Sequence, residues 1–401
     1  MMESVFWLAF TFGFHIVLVN VVITLGILAP YLRWRSLKEN DSGLERVARE
    51  VTRMLAATYA LGGVFATAYT VFLLSFYPNF LGLAGNIALA PFAISILSIV
   101  LNFFTIVAFY YGWDRWSPRT HLTIGFFMAL TFLLIPLGFR AVFAFLNTPQ
   151  GLYFDSNGIP RLDLVKALAN PTLPPLYLKS IVGALTAGTF AVSAAYAYRY
   201  VRTNDEEMKR VSLLFVQKTV PYVLLGLITM VFLGLWYVFS LENVEYKFNN
   251  IFGSLGWKVG DGVVHYDMSW LFIFKMILVA IQFIAIIVAY NAVRKGSVNG
   301  GVAKWMMIGG GTALFTILVG EYLNAFSQYP YFIADLTDPK VLAIVPKDMV
   351  PALAQILSLE HVNQLATLRG VAMLTAGFMT FLVLSAIYYL YIILRPETKS
   401  S

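Results

Sequence analysis

The chain has 401 residues, of which 59% are hydrophobic and only 12% are charged. Soluble domains carry roughly 25% charged residues, so this composition excludes a soluble globular protein and indicates an integral membrane protein. The net charge of +7 does not indicate nucleic-acid binding, because most lysines and arginines lie in short loops between apolar segments. The absence of cysteine excludes disulfides, iron–sulfur clusters and thiolate-bound metals within this chain.

Apolar segments of roughly 20 or more residues, the length that spans a bilayer as a helix, recur along the whole chain. Before the first segment there is neither a basic region nor a small-residue cleavage site, so we expect a retained helix rather than a signal peptide. The pattern predicts an all-α integral membrane protein with about nine transmembrane helices, Phe6–Trp34, Met54–Tyr77, Ile87–Trp113, His121–Leu146, Leu173–Val201, Leu213–Leu241, Met268–Val293, Val302–Phe326 and Val362–Leu394.

The connections between these segments alternate in charge. One alternate set carries most of the cations, among them Arg33, Arg115, Arg202 and Lys295, whereas Pro78–Asn86 in the other set carries none. Basic loops stay on the cytoplasmic side of a membrane. We therefore predict a multi-pass protein of the plasma membrane with its N-terminus outside and its C-terminus in the cytoplasm.

Several ionisable side chains are predicted to lie at membrane depth, where such residues are candidates for function. His15 and Glu321 lie at similar depth toward the outer ends of their helices. Imidazole is a common ligand of haem iron, and a buried carboxylate is protonated, paired or bound to a metal. The alternatives are a hydrogen-bonded histidine, a buried ion-pair network and lysines that extend to the outer interface. The full set is His15, Arg140, Lys179, Lys275, Glu321 and, less deep, Arg369.

The segments on the predicted outer face are the longer ones. Asn147–Thr172 and Tyr329–His361 are rich in proline and could cover a site there, and the glycines of Asn243–Asp267 predict hairpin turns or a mobile loop. Gly309-Gly310-Gly311 begins a span, where we expect the glycines to permit close helix packing rather than anion binding. The other histidines, His121, His265 and His361, are interpreted as ordinary interfacial residues.

Four short motifs, together with His15, carry a resemblance to a known family. With these motifs the chain resembles subunit I of the cytochrome bd oxygen reductases, which implies one transmembrane domain over residues 1–401 with nine spans and the N-terminus outside. The match is best over Phe6–Gly151. The motifs are Ala90-Pro91-Phe92-Ala93-Ile94, Tyr111-Gly112-Trp113-Asp114-Arg115, Thr120-His121-Leu122 and Leu146-Asn147-Thr148-Pro149.

The resemblance assigns roles to particular residues. The family's high-spin haem ligand on the first span falls on His15, and the glutamate that ligates the neighbouring haem falls on Glu321. Arg140, Lys179 and Lys275 then become candidate partners of haem propionates. The haem is of b or d type, or both, because these use similar protein ligands.

Other family positions are changed in this chain. The two third-span glutamates fall on Ile94 or Ser95 and on Asn102. The low-spin haem histidine falls on Lys179, and the methionine falls on Ile277, with Met276 beside it, so the low-spin haem is not expected on the family pattern. The segment Asn243–Asp267 is short where the family has a long quinol-binding loop, and the motif after the eighth span is reduced to Ser327-Gln328-Tyr329-Pro330-Tyr331.

Three functional hypotheses follow. The chain is a subunit of a bd-type terminal oxidase complex, a quinol:oxygen oxidoreductase, with haem between helices 1 and 8. Alternatively it is a paralogous, haem-poor structural subunit of such a complex. Either role requires a second membrane subunit, which is subunit II or an orthodox subunit I paralogue, together with quinone and membrane lipid. A transporter or channel is disfavoured, because the sequence has no inverted repeat and no pair of broken helices.

Overall fold

The computed structural model describes residues 2–76, 85, 87–329, 339–345, 347–351 and short stretches between 373 and 388. Within these residues eight helices are long and apolar enough to cross a membrane. The predicted ninth span, Val362–Leu394, lies almost entirely outside the described residues. The same holds for His361, Arg369, the loop 78–84 and most of the segment after Tyr329.

The eight long helices match the first eight predicted spans, which confirms an all-α membrane fold. Several extend beyond their apolar segments; α1, for example, has 38 residues and measures about 57 Å at ~1.5 Å per residue. The helices are α1 Met2–Glu39, α2 Ser42–Phe76, α3 Leu89–Tyr111, α4 Pro118–Asn147, α5 Leu164–Leu168, α6 Leu173–Arg202, α7 Glu206–Ser240, α8 Glu245–Phe252, α9 Ser269–Arg294, α10 Gly300–Phe326 and α11 Pro339–Ile344.

Helix α1 lies at the centre of the bundle and packs against α2, α4, α6 and α10. It is apolar around most of its circumference, as expected for a helix that crosses a membrane. Close approach to α6 occurs where Gly188 faces Thr24: a Cβ atom at Gly188 would lie 2.2 Å from the Thr24 hydroxyl oxygen. That hydroxyl donates a 2.8 Å hydrogen bond to the Ala184 carbonyl.

The glycine run at residues 309–311 confirms the packing interpretation for two of its three members. A Cβ atom at Gly309 would lie 2.1 Å from the Phe190 ring, and one at Gly310 would lie 3.1 Å from the Ala191 Cα atom. Gly311 has no atom within 4 Å of its Cβ position. Gly309 and Gly310 therefore bring α10 against α6.

Ion pairs join two connections on the basic face, the end of the bundle that we predict to be cytoplasmic. Between the α1–α2 and α6–α7 regions, Arg210 pairs with Asp41 at 3.1 Å and Arg199 pairs with Glu50 at 2.6 Å. The Arg210 guanidinium holds the pKa of Asp41 below its ordinary value.

The indole of Trp113 lies between two guanidinium groups on the same face. The Cζ atoms of Arg33 and Arg49 are 4.8 and 4.6 Å from its ring centroid, and Arg49 also pairs with Asp114. The Gly-Trp-Asp-Arg motif therefore anchors α3 to α1 and α2.

His121 was interpreted as an ordinary interfacial residue, but it is fully buried. Its ring stacks on the Phe109 ring with centroids 4.1 Å apart, and its Nε2 atom is hydrogen-bonded to the Phe109 carbonyl oxygen at 2.9 Å.

The opposite face carries the short elements. A β-hairpin pairs β1, Leu152–Phe154, antiparallel with β2, Pro160–Leu162, and α5 follows it. The turns predicted for Asn243–Asp267 lie in its glycine-containing part, where Gly256, Gly260 and Gly262 have positive φ angles. The first part of the segment instead forms α8 and a short 3-10 turn, Gly253–Leu255. Its aromatic side chains explain the difference, because Tyr246, Phe248 and Phe252 are buried in a hydrophobic cluster with α7, α9 and α10.

Candidate functional site

His15 lies on α1 where that helix packs against α2. Its Nδ1 atom is 3.0 Å from the carbonyl oxygen of Gly62. A carbonyl only accepts hydrogen bonds, so Nδ1 carries the proton and Nε2 keeps its lone pair. This tautomer is the one that a metal-ligating histidine uses, with the second nitrogen bonded to a backbone carbonyl.

The surroundings of His15 are apolar. The adjacent Phe14 ring stacks on Phe65 of α2 with centroids 6.1 Å apart, and Phe10 lies 4.8 Å from Phe14. Phe65 is fully buried. The helix contact beside the imidazole is thus apolar, and in apolar surroundings a neutral ring with a free nitrogen suits metal ligation better than a protonated one.

Glu321 lies on α10 and faces α1 at Gly13. A Cβ atom at Gly13 would lie 3.7 Å from the Glu321 Cβ atom and 2.5 Å from the Leu318 Cδ1 atom, so a larger residue at position 13 would force the Leu318 side chain to move. The Glu321 carboxylate oxygen is 4.0 Å from an Arg140 guanidinium nitrogen, at the limit for an ion pair. The two side chains are only 13% and 14% exposed.

His15 and Glu321 are associated with different sides of α1. Residues two apart on a helix point about 200° apart, so His15 leaves α1 on nearly the opposite side from Gly13. His15 contacts α2, whereas Glu321 approaches α1 from α10. The geometry suits two neighbouring sites better than two ligands on one metal.

Lys179 and Lys275 both place their amino groups inside the bundle. The Lys179 nitrogen lies 4.0 Å from the centroid of the Tyr237 ring. The Lys275 nitrogen lies 3.4 Å from the position that a Cβ atom would take at Gly320, the residue that precedes Glu321 in the chain. Both lysines are close enough to Glu321 to interact with its charge.

Sequence reasoning missed a further cation, Lys247 on α8. Its side chain is 2% exposed, and its amino group donates to the amide oxygens of Asn324 at 2.6 Å and Asn147 at 3.3 Å. Burial lowers its pKa from 10.5 to about 7, although the Glu321 charge acts in the opposite direction. The apolar side chains that flank it at Tyr246, Phe248 and Ile251 were the available signal.

Together these residues form what we call the cation cluster, defined as Arg140, Lys179, Lys247 and Lys275 around Glu321. Elements α4, α6, α8, α9 and α10 each contribute one member. Electrostatic interactions connect Lys179 with the other four members.

The positions related to the family's other ligands are occupied differently. Met276 is 40% exposed and Ile277 is 52% exposed, so both lie on the outer surface of α9. On α3, the Ser95 hydroxyl donates to the Ile135 carbonyl at 2.6 Å, and the Asn102 amide donates to the Thr131 hydroxyl at 2.8 Å. These two polar residues therefore fasten α3 to α4.

Comparison with known proteins identifies a family and a solved structure of similar fold. The family described as Cytochrome bd terminal oxidase subunit I matches residues 4–242, more than half of the chain. The fold is similar to the structure of bd oxidase from Geobacillus thermodenitrificans, with a TM-score of 0.76 and 16% sequence identity over 98% of this chain and 97% of that one. No curated protein has a significantly similar sequence.

Proposed function

The chain belongs to the cytochrome bd terminal oxidase subunit I family, and we propose that it is a haem-binding subunit of a bd-type complex that passes electrons from quinol to oxygen. The observation that carries this proposal is the hydrogen bond between His15 Nδ1 and the Gly62 carbonyl. It directs the unprotonated Nε2 atom away from the backbone and makes it available to iron.

The residues of this region fit a haem in two respects. His15 supplies a neutral nitrogen ligand, and Glu321 supplies a carboxylate for the neighbouring position. Arg140, Lys179 and Lys275 supply positive charge for propionates. Haem, when bound, supplies the electron-transfer and oxygen chemistry, and its potential depends on axial ligand, hydrogen bonding and burial.

The residues do not fit a low-spin haem with histidine and methionine ligands. Lys179 stands in the histidine position, where a protonated ammonium has no lone pair. Met276 and Ile277 lie on the surface of α9 rather than inside the bundle. We therefore propose that electrons do not enter through such a haem but arrive from a second membrane subunit, either subunit II or an orthodox subunit I paralogue.

A second candidate is a haem-poor structural subunit of the same kind of complex. It is favoured by Ser95 and Asn102, which use their side chains for helix-to-helix hydrogen bonds at or beside the positions where the family carries carboxylates. In that role the fold would pair with a catalytic subunit without carrying electrons itself.

Absorption spectroscopy of the purified chain, in complex with its partner, separates the two candidates. We expect the wild-type complex to show a Soret band. His15→Ala should reduce the intensity of this band, and Glu321→Ala should alter the band. His265→Ala, a change in the outer segment, serves as control and should leave the band unchanged. A folded complex whose spectrum is the same with and without His15 would exclude haem ligation by this residue.

A further inference from the structure

Lys247 is an unusual residue for the segment that carries it. It belongs to the connection between α7 and α9, yet only 2% of it is exposed. Tyr246 and Phe248 on either side are also buried, so the whole of this turn of α8 is docked into the bundle. A buried lysine is retained at a cost unless its charge is compensated.

The hydrogen bonds of Lys247 offset only part of the free-energy cost of burying its charge. An ammonium has three N–H donors, and two of them go to the amide oxygens of Asn147 and Asn324. Both acceptors are neutral. The third donor remains for another group, and the amides hold the ammonium in one orientation between α4 and α10.

The charges around Lys247 are also unbalanced. The cation cluster brings four cationic side chains to one carboxylate, Glu321, whose closest cationic partner, Arg140, is 4.0 Å away. Lys247 interacts electrostatically with both members of that pair. Cations enclosed at low dielectric repel one another strongly unless an anion is bound among them.

We infer that Lys247 closes an anion site within the cation cluster, and that this site takes a ligand with paired acidic oxygens. Two sources share that chemistry: the two carboxylates of a porphyrin, which rests on the proposed function, and the phosphate of an acidic membrane lipid, which does not. Lys247 is a positioning residue, because its bonds to Asn147 and Asn324 join α8 to the site. Bound ligand and docked α8 therefore stabilise each other.

The test compares Lys247→Met with Lys258→Met in the detergent-solubilised complex. Lys258 lies in the same outer segment but is exposed, so it controls for loss of a positive charge. Two quantities are measured: the rate of haem transfer to excess apomyoglobin, and the acidic phospholipid retained after washing, by mass spectrometry. For Lys247→Met we expect about tenfold faster haem transfer or about tenfold less retained lipid, the effect of losing one charge-assisted hydrogen bond.

Each outcome decides the inference. Faster haem transfer with unchanged lipid identifies porphyrin carboxylates, and lost lipid with unchanged haem identifies a lipid phosphate. If the wild-type complex holds no haem, the proposed function fails while the lipid measurement still tests the anion site. Equal behaviour of the two variants, or a wild type that retains neither group, overturns the inference. Lys247→Gln, which can still bond the two asparagines, replaces the methionine variant if that variant does not fold.

Discussion

The Nδ1 atom of His15 and the carbonyl oxygen of Gly62 are 3.0 Å apart, and this contact fixes the tautomer of a histidine in the apolar interior. A purely structural histidine and a ligand histidine would share this bond, but only the ligand also uses Nε2. A substitution that keeps the bond and removes the ligand nitrogen therefore separates the two roles.

His15→Gln is that substitution. The glutamine amide can donate to the Gly62 carbonyl but is a poor iron ligand, so we expect a folded complex that has lost haem. Thermal unfolding and the Soret absorbance check the two parts of this prediction. A variant that retains the full Soret band would show that His15 serves only to pack α1 against α2.

Glu321→Gln should destabilise the bundle by about 3 kcal/mol, because it leaves the cations around it without their carboxylate. The thermal midpoint in detergent measures the loss, with Glu242→Gln as an exposed control. Adding Arg140→Met to Glu321→Gln should recover part of the midpoint, since it removes one unpaired cation. Additive losses in the double variant would contradict coupling between the two residues.

Gly309→Ala should cost about 1–3 kcal/mol, the usual range for overpacking a tight interior. The added methyl group would collide with the Phe190 ring and with Ala285. Gly311→Ala is a matched control two residues away, because nothing lies within 4 Å of its Cβ position. Thermal midpoints of the two variants should differ clearly, and equal midpoints would contradict the α6–α10 contact.

Trp113→Leu should lower stability by about 2 kcal/mol, because each of two guanidinium groups loses a cation–π contact. The control is Trp270→Leu, which changes a largely exposed tryptophan on α9. If both substitutions lower the thermal midpoint equally, the motif at the basic end of α3 does not anchor that helix.

Because Lys247 is buried, we expect the thermal stability of the haem-free, delipidated protein to depend on pH. The pKa of this lysine in the folded chain, about 7, is lower than the ordinary 10.5, so protonation opposes folding. The destabilisation is complete below pH 7 and disappears as the pH rises toward 10.5. Between pH 6.5 and 9 the wild type should gain more thermal stability than Lys247→Met does, and identical gains would contradict a buried charge.

The sequence predicted most of the fold, because membrane spans depend on apolar length alone. It also made His15 and Glu321 candidate site residues, since ionisable residues at membrane depth are costly, and their role as haem ligands stays a prediction. Which side of a helix each residue faces was not predictable. Gly13, rather than His15, faces Glu321. On α9, Met276 lies on the surface of the bundle, whereas its neighbour Lys275 points into the bundle.

Lys247 was missed for a different reason. The glycines and polar residues of Asn243–Asp267 indicate turns. A local sequence pattern cannot reveal that Asn147 and Asn324, which are far away in sequence, accept hydrogen bonds from the lysine. The orientation of the protein in the membrane remains a prediction from the charges of its loops.

The most direct test of the central claim is a pyridine haemochrome assay on the detergent-solubilised complex, with each chain quantified. Our account predicts at least one haem that is present in the wild-type complex and absent from His15→Gln. A folded complex with the same haem content in both, all of it belonging to the partner, would contradict the account and leave this chain as a structural subunit.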